Sequence, residues 1–395
     1  MGSLFGAQSL IRMSLQQIIG QPRVVDVLRR TLQSKRVAHA FLFHGPEGVG
    51  KAAAALAMVD ALQCEQPVDG DACGVCGSCH KVRRGLHPDV HILMPVPKET
   101  DDNERAARIA MFVEDPYQTV DFQTLPSLDG TSGRSGQVIY SKANMYDWLR
   151  KPMSYHRVEG RYRVAILLDA DWMREEAANA FLKLLEEPGQ QTVFILITNR
   201  VDHLLTTILS RCQKIRFDAL DREDIALALQ DRGIPDQAAQ TLSRMAGGSL
   251  RKAISLASNE DLLGTREEVM GFLRKSYQGK GDTVVAAVDT LSRSGREGLR
   301  FRLMILLGIL RDLLLLQTSG SSDLIVNVDQ IDTLTRFANN LPNARLQSMI
   351  EATEQTMFLV ERNVNARLSL VNLSRVLQGA MRGDPGRRVE IDIVD

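Results

Sequence analysis

Short, continuously apolar runs in the first half of the chain predict the strands of a buried α/β sheet. They are Phe41–Phe43, Arg163–Asp171, which ends in acidic residues, and Thr192–Thr198; a further short strand is predicted at Lys214–Phe217. Apolar runs of this length that are bounded by turn residues are typical of strands inside a sheet. We therefore expect a parallel α/β domain in this part of the chain.

Apolar residues at helical spacing occupy most of the remaining sequence. The predicted helical segments are residues 24–32, 173–187, 219–258 and 262–382. Gly247-Gly248 interrupts the third segment, and Ser249 is predicted to cap the helix that follows. A chain of 395 residues is too long for one ordinary core, so two or three domains are expected.

The turn after the first predicted strand has the composition of a phosphate loop. Gly45, Gly48 and Gly50 precede Lys51, and an alanine-rich helix follows. Glycines allow backbone N–H groups to converge on phosphate oxygens, and the lysine reaches the outer phosphates. Ala52 departs from the pattern, because a Ser or Thr hydroxyl at that position would bind magnesium. The alternative is a glycine turn that only connects strand and helix.

Acidic residues end the second long strand, as in phosphate-loop ATPases. Asp169 matches the acid that holds magnesium, but Ala170 replaces the glutamate that orients the attacking water. If the strand continues, Asp171 points to the opposite face from Ala170. Thr198 and Asn199 end the next strand, where open α/β sheets bind ligands. These positions predict nucleotide contacts and a missing catalytic carboxylate.

Four of the five cysteines lie within sixteen residues, at Cys64, Cys73, Cys76 and Cys79. Four thiolates at this spacing suit a tetrahedral structural zinc site with no open position for water. Metal is favoured over disulfides if the chain is cytosolic. The alternative, free buried cysteines, explains the clustering poorly.

Lys and Arg together number 48, as do Asp and Glu, so the balanced charge gives no global attraction to nucleic acid. The first residues do not form a signal peptide, and either Met1 or Met13 is a candidate start. The longest apolar run, Leu303–Leu316, is shorter than the roughly 20 residues that span a bilayer. We expect a cytoplasmic protein with no membrane partner.

Residue type alone does not assign a function to two parts of the chain. Residues 97–137 mix acidic runs with Gly, Ser, Thr and Pro, which predicts an insertion or mobile loop with a short helix at Arg105–Val113. Arg211, in Ser210-Arg211-Cys212, is by composition an exposed arginine near a helix C-terminus.

Several motifs in order resemble the bacterial DNA polymerase III clamp loader, and within it the delta-prime subunit. They are HAFLFHGPEGVGK (39–51), the four-cysteine spacing, HPDVHIL (87–93), AANAFLKLLEEP (177–188), TTILSRCQ (206–213) and NVNARLSL (363–370). The resemblance is good over residues 15–260 and looser over 261–380. It implies an AAA+ fold with an inserted zinc module, a helical lid and an all-α C-terminal collar.

The domains that this resemblance implies are a short extension, a nucleotide-binding domain, a lid, a collar and a tail. Their bounds are 1–14, 15–218 with the zinc module at 64–79, 219–260, 261–382 and 383–395. The implied partners are gamma/tau motor subunits and the delta subunit in a hetero-pentamer, the sliding clamp, and primed DNA through the complex.

The resemblance also implies residue roles. Arg211 matches the arginine finger that family members place against the ATP of the next subunit, and Arg251 matches a lid arginine that contacts the subunit's own γ-phosphate. Because Ala52 and Ala170 replace a magnesium ligand and the catalytic glutamate, we expect no hydrolysis by this chain. Whether ATP or ADP binds at the loop stays open, and bound Mg²⁺ is not expected.

Two other functions are compatible with the sequence. One is an active clamp-loader ATPase motor that uses Asp169 and Asp171. The other is a zinc-dependent nucleic-acid-binding protein, in which Lys81, Arg83 and Arg84 beside the cysteines contact phosphate.

Overall fold

The computed structural model describes residues 14–34, 36–98, 100–122, 138–258, 262–319, 325–327, 330–362 and 364–384. Nearly all of the predicted extension and tail, and residues 123–137 of the predicted insertion, lie outside these ranges. The chain divides into two compact units, residues 1–256 and 257–395. The predicted boundary between nucleotide-binding domain and lid, at residue 218, stays a prediction.

A five-stranded, all-parallel sheet forms the core of the first unit. The strands are β1 (Ala40–His44), β2 (Val90–Leu93), β3 (Arg163–Leu167), β4 (Thr192–Thr198) and β5 (Gln213–Arg216), in the order β2-β3-β4-β1-β5. β4 is buried along its whole length. The parallel α/β prediction is confirmed, and the sequence reasoning did not predict β2, a short edge strand.

Eleven α-helices of the first unit are described. They are α1 (Pro22–Gln33), α2 (Lys51–Gln63), α3 (Gly77–Val82), α4 (Asp102–Glu114), α5 (Lys142–Met145), α6 (Lys151–Ser154), α7 (Glu175–Glu186), α8 (Thr206–Leu209), α9 (Arg222–Gln230), α10 (Asp236–Ala246) and α11 (Leu250–Ala257). Pro22 occupies the first turn of α1, where its missing N–H leaves no hydrogen bond unmade. The alanine-rich α2 is buried on nearly all sides, because small side chains let the helix pack closely.

Two predicted boundaries are wrong. β3 ends at Leu167, because Asp169 adopts a left-handed conformation (φ +46°) and a 3₁₀ turn, Ala170–Trp172, follows. The strand alternation argued for Asp171 therefore does not apply. The helix predicted at Arg105–Val113 is the longer α4, which begins earlier because the Asp101 carboxylate accepts a hydrogen bond from the Asn103 N–H and caps it.

The second unit is helical in the residues that the structure describes. Its helices are α12 (Leu262–Gln278), α13 (Gly281–Ser292), α14 (Gly295–Ser319), α15 (Ile331–Asn340), α16 (Leu346–Glu361) and α17 (Ala366–Met381). Asp312 is fully buried on α14, and its carboxylate accepts hydrogen bonds from the N–H groups of Val326 and Asn327 and from the Asn327 amide. Among the described helices, none is both long and apolar enough to cross a membrane.

Candidate functional site

The carboxyl ends of three strands bring the predicted phosphate-loop residues together. Gly45 follows β1, Asp169 lies two residues after β3, and Thr198 ends β4, directly beside His44 in the register. All strands of a parallel sheet end at the same edge, which is where such sheets bind ligands. The first unit therefore has one candidate site at this edge.

Glycine is required at two positions of the loop. Gly45 and Gly48 have φ values of +142° and +73°, which side chains rarely adopt. A Cβ at Gly45 would lie 2.2 Å from the Phe217 carbonyl oxygen, and one at Gly48 would lie 2.2 Å from the Ser249 hydroxyl. Gly50, also at positive φ, precedes the first residue of α2. The loop thus has the tight backbone path that its sequence predicts.

Lys51 is turned onto the loop itself. Its side chain is buried, and its ammonium donates hydrogen bonds to the carbonyl oxygens of Gly45, at 2.8 Å, and Pro46. The pKa of Lys51 is lowered to about 8, chiefly by burial and also by the charge of Arg251, while Asp169 opposes both effects. Two of the three ammonium donors are therefore directed at carbonyls of the chain.

The start of α11 packs against the loop. The Leu250 and Arg251 N–H groups both donate to the Gly48 carbonyl, at 3.0 and 3.4 Å. The Arg251 guanidinium lies 3.4 Å from the Glu47 carboxylate, and the Ser249 hydroxyl caps the helix through the Lys252 N–H, as predicted. The structure thus brings the predicted lid arginine to the loop.

The two acidic residues after β3 have different surroundings. Burial raises the pKa of Asp169 to about 6, although the nearby Arg251 charge lowers it. Asp171 accepts a hydrogen bond from the Thr198 hydroxyl at 2.7 Å and forms an ion pair with Arg200 at 3.1 Å. Asp171 and Thr198 are therefore bonded to each other, and neither lines the cavity beside the loop.

Replacing Asp169 by asparagine should stabilise the chain at neutral pH. Between about pH 4 and pH 6 the folded chain keeps a proton on Asp169 that the unfolded chain has released, so its raised pKa costs stability as the pH rises. Above about pH 6 the penalty is complete, up to about 3 kcal/mol. Asparagine carries no charge and tolerates the left-handed backbone of this position.

The measurement is urea unfolding of both proteins at pH 8 and at pH 4.5. The advantage of Asp169→Asn should be large at pH 8 and should shrink towards pH 4.5. Asp202→Asn, at an exposed carboxylate, is the control and should show no comparable difference. An advantage that is independent of pH would contradict the raised pKa of Asp169.

A small cavity of about 50 Å³ lies between the loop and the last turn of α4 with the segment that follows it. Its lining includes Lys51, Asp169 and Arg251 on one side and Phe112 and Tyr117 on the other. This space holds only a few water molecules, since one needs about 10–15 Å³. Sequence reasoning missed Phe112 and Tyr117, because nothing in the composition of the insertion connects its aromatic residues to the loop.

The four clustered cysteines are close enough to share one ion. The Sγ atoms of Cys64, Cys73, Cys76 and Cys79 all lie within 4.8 Å of one another. A tetrahedral zinc with sulfur ligands at about 2.3 Å has sulfurs about 3.8 Å apart, so the cluster needs little adjustment. The donor set and its spacing therefore fit a zinc ion.

Backbone N–H groups and one buried ion pair support the cluster. The Cys73 N–H donates to the Cys64 sulfur at 3.2 Å, and the Cys79 N–H lies 3.5 Å from the Cys76 sulfur. The Arg83 guanidinium, missed by sequence reasoning in this role, bonds to the fully buried Asp60 carboxylate at 3.0 Å and to the Gly74 carbonyl at 2.9 Å.

The basic residues beside the cysteines are held to different degrees. Arg83 is engaged with Asp60 as described, and the Lys81 ammonium bonds to the Glu159 carboxylate at 2.7 Å. The third predicted phosphate contact, Arg84, is exposed, and no ion pair is described for it. Arg83 is therefore the residue of the three that the cysteine cluster itself occupies, while the surface pair of Lys81 with Glu159 could be exchanged at little cost.

Arg211 lies at the surface, directly after α8 and its capping residue Ser210. Its side chain is 36% exposed, and its guanidinium bonds to the Glu186 carboxylate at 3.0 Å and to the Thr207 carbonyl at 3.1 Å. Exposed ion pairs of this kind are worth only about 0–1 kcal/mol. The guanidinium can therefore exchange Glu186 for another anion at little cost.

A parallel sheet with a glycine-rich phosphate loop at its carboxyl edge defines the class of P-loop α/β proteins. Residues 20–221 match the family described as DNA polymerase III, delta subunit, and residues 260–377 match its C-terminal domain. The chain therefore belongs to the DNA polymerase III delta subunit family and is a clamp-loader subunit. The resemblance predicted from its motifs is confirmed.

Two DNA polymerase III subunits and one solved structure are similar to this chain. DNA polymerase III subunit delta' of Bacillus subtilis is 27% identical over 362 residues, covering 91% of this chain and 96% of that protein. DNA polymerase III subunit tau of Escherichia coli is also 27% identical, but this chain covers only 44% of its length. A gamma subunit-related protein from Thermotoga maritima superposes with a TM-score of 0.43 at 15% identity, over 90% of this chain and 99% of that one.

Proposed function

We propose that this chain is a non-hydrolysing clamp-loader subunit that lends Arg211 to the ATP of a neighbouring subunit. The observation that carries the proposal is the partly exposed guanidinium of Arg211, which is held by a weak surface ion pair, a backbone carbonyl and a long hydrogen bond to the Ser210 hydroxyl. An arginine supplied in trans neutralises charge on the transferring phosphoryl group and raises its rate by about 10³–10⁵. The chain thereby contributes to hydrolysis without performing it.

The chain's own loop lacks the groups that hydrolysis needs. Ala52 offers no oxygen to magnesium, and the fully buried Ala170 offers no carboxylate to a water molecule. Asp171, the carboxylate that the active-motor alternative would use, is bonded to Thr198 and Arg200. Phosphoryl transfer depends almost entirely on positioning and charge stabilisation, so these losses together should leave turnover negligible. The residues present do not fit a complete magnesium site.

The isolated chain should therefore show no ATP turnover above background. The measurement is steady-state phosphate release by the purified chain, with Ala52→Thr as a companion variant. Ala52→Thr restores the hydroxyl but not the catalytic carboxylate, so it too should remain inactive. Turnover by the native chain that Asp169→Asn abolishes would favour the alternative function, an active motor subunit.

We further propose that the four cysteines hold one structural zinc ion. The ion would cross-link the end of α2 to the turns around Gly70 and Gly74, which carry little apolar core of their own. Asp60 and Arg83 would orient the module from outside the ligand set, as outer groups do at many zinc sites. The motif resemblance and the closeness of the four sulfurs support this proposal.

The partners proposed from the family are gamma/tau-type motor subunits, with which this chain would share interfaces that contain ATP. A delta subunit, the sliding clamp and primed DNA complete the proposed assembly, and the proposed compartment is the cytoplasm. We propose that Gly45, Gly48, Gly50, Lys51, Asp169 and Arg251 are inherited nucleotide-binding positions, whatever their present occupancy. The Thr198 hydroxyl is directed at Asp171.

A further inference from the structure

Tyr117 lies directly against the phosphate loop. It follows α4 and is buried, and a Cβ placed on Gly50 would lie 3.1 Å from its hydroxyl oxygen. That hydroxyl also accepts a hydrogen bond from the Ile19 N–H at 3.3 Å. The tyrosine therefore connects the loop to the segment before α1, on the side of the loop that faces the cavity.

Two buried contacts hold this part of the chain in place. The Asp115 carboxylate forms a two-pronged ion pair with Arg232, at 2.6 and 3.1 Å, and also accepts a hydrogen bond from the Tyr117 N–H. Arg108 donates to the carbonyl oxygens of Val120, at 3.1 Å, and Asp121, at 2.8 Å. Paired arginine and carboxylate groups with this geometry are among the stronger polar contacts.

The space that remains beside the loop is far smaller than a nucleotide needs. Pockets for ligands of that size usually measure about 300–1,000 Å³. The cavity here measures about 50 Å³, and Phe112, Tyr117 and Val120 form much of the wall opposite the loop. Side chains of the insertion thus occupy volume that a nucleoside at this loop would require.

We propose that residues 112–121, here called the Tyr117 segment, are an intrachain plug that excludes nucleotide from the chain's own phosphate loop. Arg232 is the latch, because it ties the segment to the helical part that follows α9. The plug deepens the proposed function, on which it rests by treating the loop as an inherited nucleotide site. It accounts for a retained glycine loop and lysine in a subunit that does not turn over ATP.

The test is a titration of the full-length chain with a fluorescent ADP analogue. The native chain should bind it weakly, because only the small fraction of molecules in which the Tyr117 segment has left the loop can bind nucleotide, and the apparent affinity is reduced in proportion to that fraction. Tyr117→Ala should bind at least about tenfold more tightly, since it removes the phenol ring that fills the space beside the loop in the closed state. Tyr155→Ala, which removes an exposed tyrosine, is the matched control and should bind like the native chain.

Two further variants keep the result decisive. Arg232→Gln releases the latch without opening a cavity in the loop, so it should also gain affinity and serves if Tyr117→Ala fails to fold. Adding Lys51→Ala to the Tyr117→Ala chain should remove the gain, which locates the new binding at the phosphate loop. Tight binding by the native chain, or folded Tyr117→Ala and Arg232→Gln chains that bind no better than native, would overturn the plug.

This experiment is separate from the test of Arg211. Nucleotide binding by the isolated chain reports only on its own loop, whereas the trans role is measured as hydrolysis in the assembled complex. Failure of the plug therefore leaves the Arg211 proposal standing, and the reverse is also true.

Discussion

Arg211→Ala should leave the chain folded but strongly depress ATP hydrolysis by a clamp loader reconstituted with gamma/tau-type subunits. The side chain is partly exposed, and its pair with Glu186 contributes little stability, so its removal should not disturb α8 or β5. At the ATP that Arg211 faces, loss of the guanidinium should lower the rate by about 10³ or more. ATP sites of the complex that Arg211 does not face should keep their rates of hydrolysis.

The measurement is ATPase activity of the assembled complex, with assembly checked by size-exclusion chromatography. Arg216→Ala is the control, because it removes a more exposed arginine five residues further along the chain. Glu186→Ala should not lower activity, since the carboxylate only holds the guanidinium in the isolated chain. Equal activity of the Arg211→Ala and native complexes would contradict the trans role.

Loss of any one clustered cysteine should have the largest effect on stability. Cys79 is buried, and its replacement by serine would remove one of four proposed zinc ligands from the module. Structural zinc binds with apparent free energies of about 10–16 kcal/mol in small zinc domains, and that energy supports folding. We expect one zinc per native chain, and substoichiometric zinc with a lower unfolding temperature for Cys79→Ser.

Cys212→Ser is the matched control, because Cys212 is the one cysteine outside the cluster. It should retain a full equivalent of zinc, measured by elemental analysis after dialysis. A chelator should destabilise the native chain and the Cys212→Ser chain alike, but should have little further effect on Cys79→Ser. Native protein that contains no zinc, yet melts at the same temperature with chelator, would refute the structural metal.

The apolar strands and the phosphate loop were readable from the sequence, because both depend on local patterns. Thr192–Thr198 is a short apolar run rich in β-branched residues and bounded by turn residues, which favours a buried strand. The spacing of Gly45, Gly48 and Gly50 before Lys51 is typical of the phosphate-loop turn. The cysteine cluster was predictable for the same reason, since its members lie close together along the chain.

Contacts between residues that are distant in sequence could not be predicted from local sequence patterns. The bond from Thr198 to Asp171 depends on the left-handed turn at Asp169, which ends β3 earlier than its apolar pattern suggests. The contacts of Tyr117 with Ile19 and with the phosphate loop join positions nearly a hundred and nearly seventy residues apart, in a segment whose composition gives no signal. Such pairings arise from the tertiary fold alone.

The most direct test compares clamp loading on primed DNA by two reconstituted complexes that differ only in this chain. One carries Arg211→Ala and the other carries Lys51→Ala at the chain's own phosphate loop. The account predicts that Arg211→Ala severely slows loading while Lys51→Ala loads at close to the native rate. Normal loading with Arg211→Ala, together with a loss of loading with Lys51→Ala, would show that this chain works through its own nucleotide and would contradict the account.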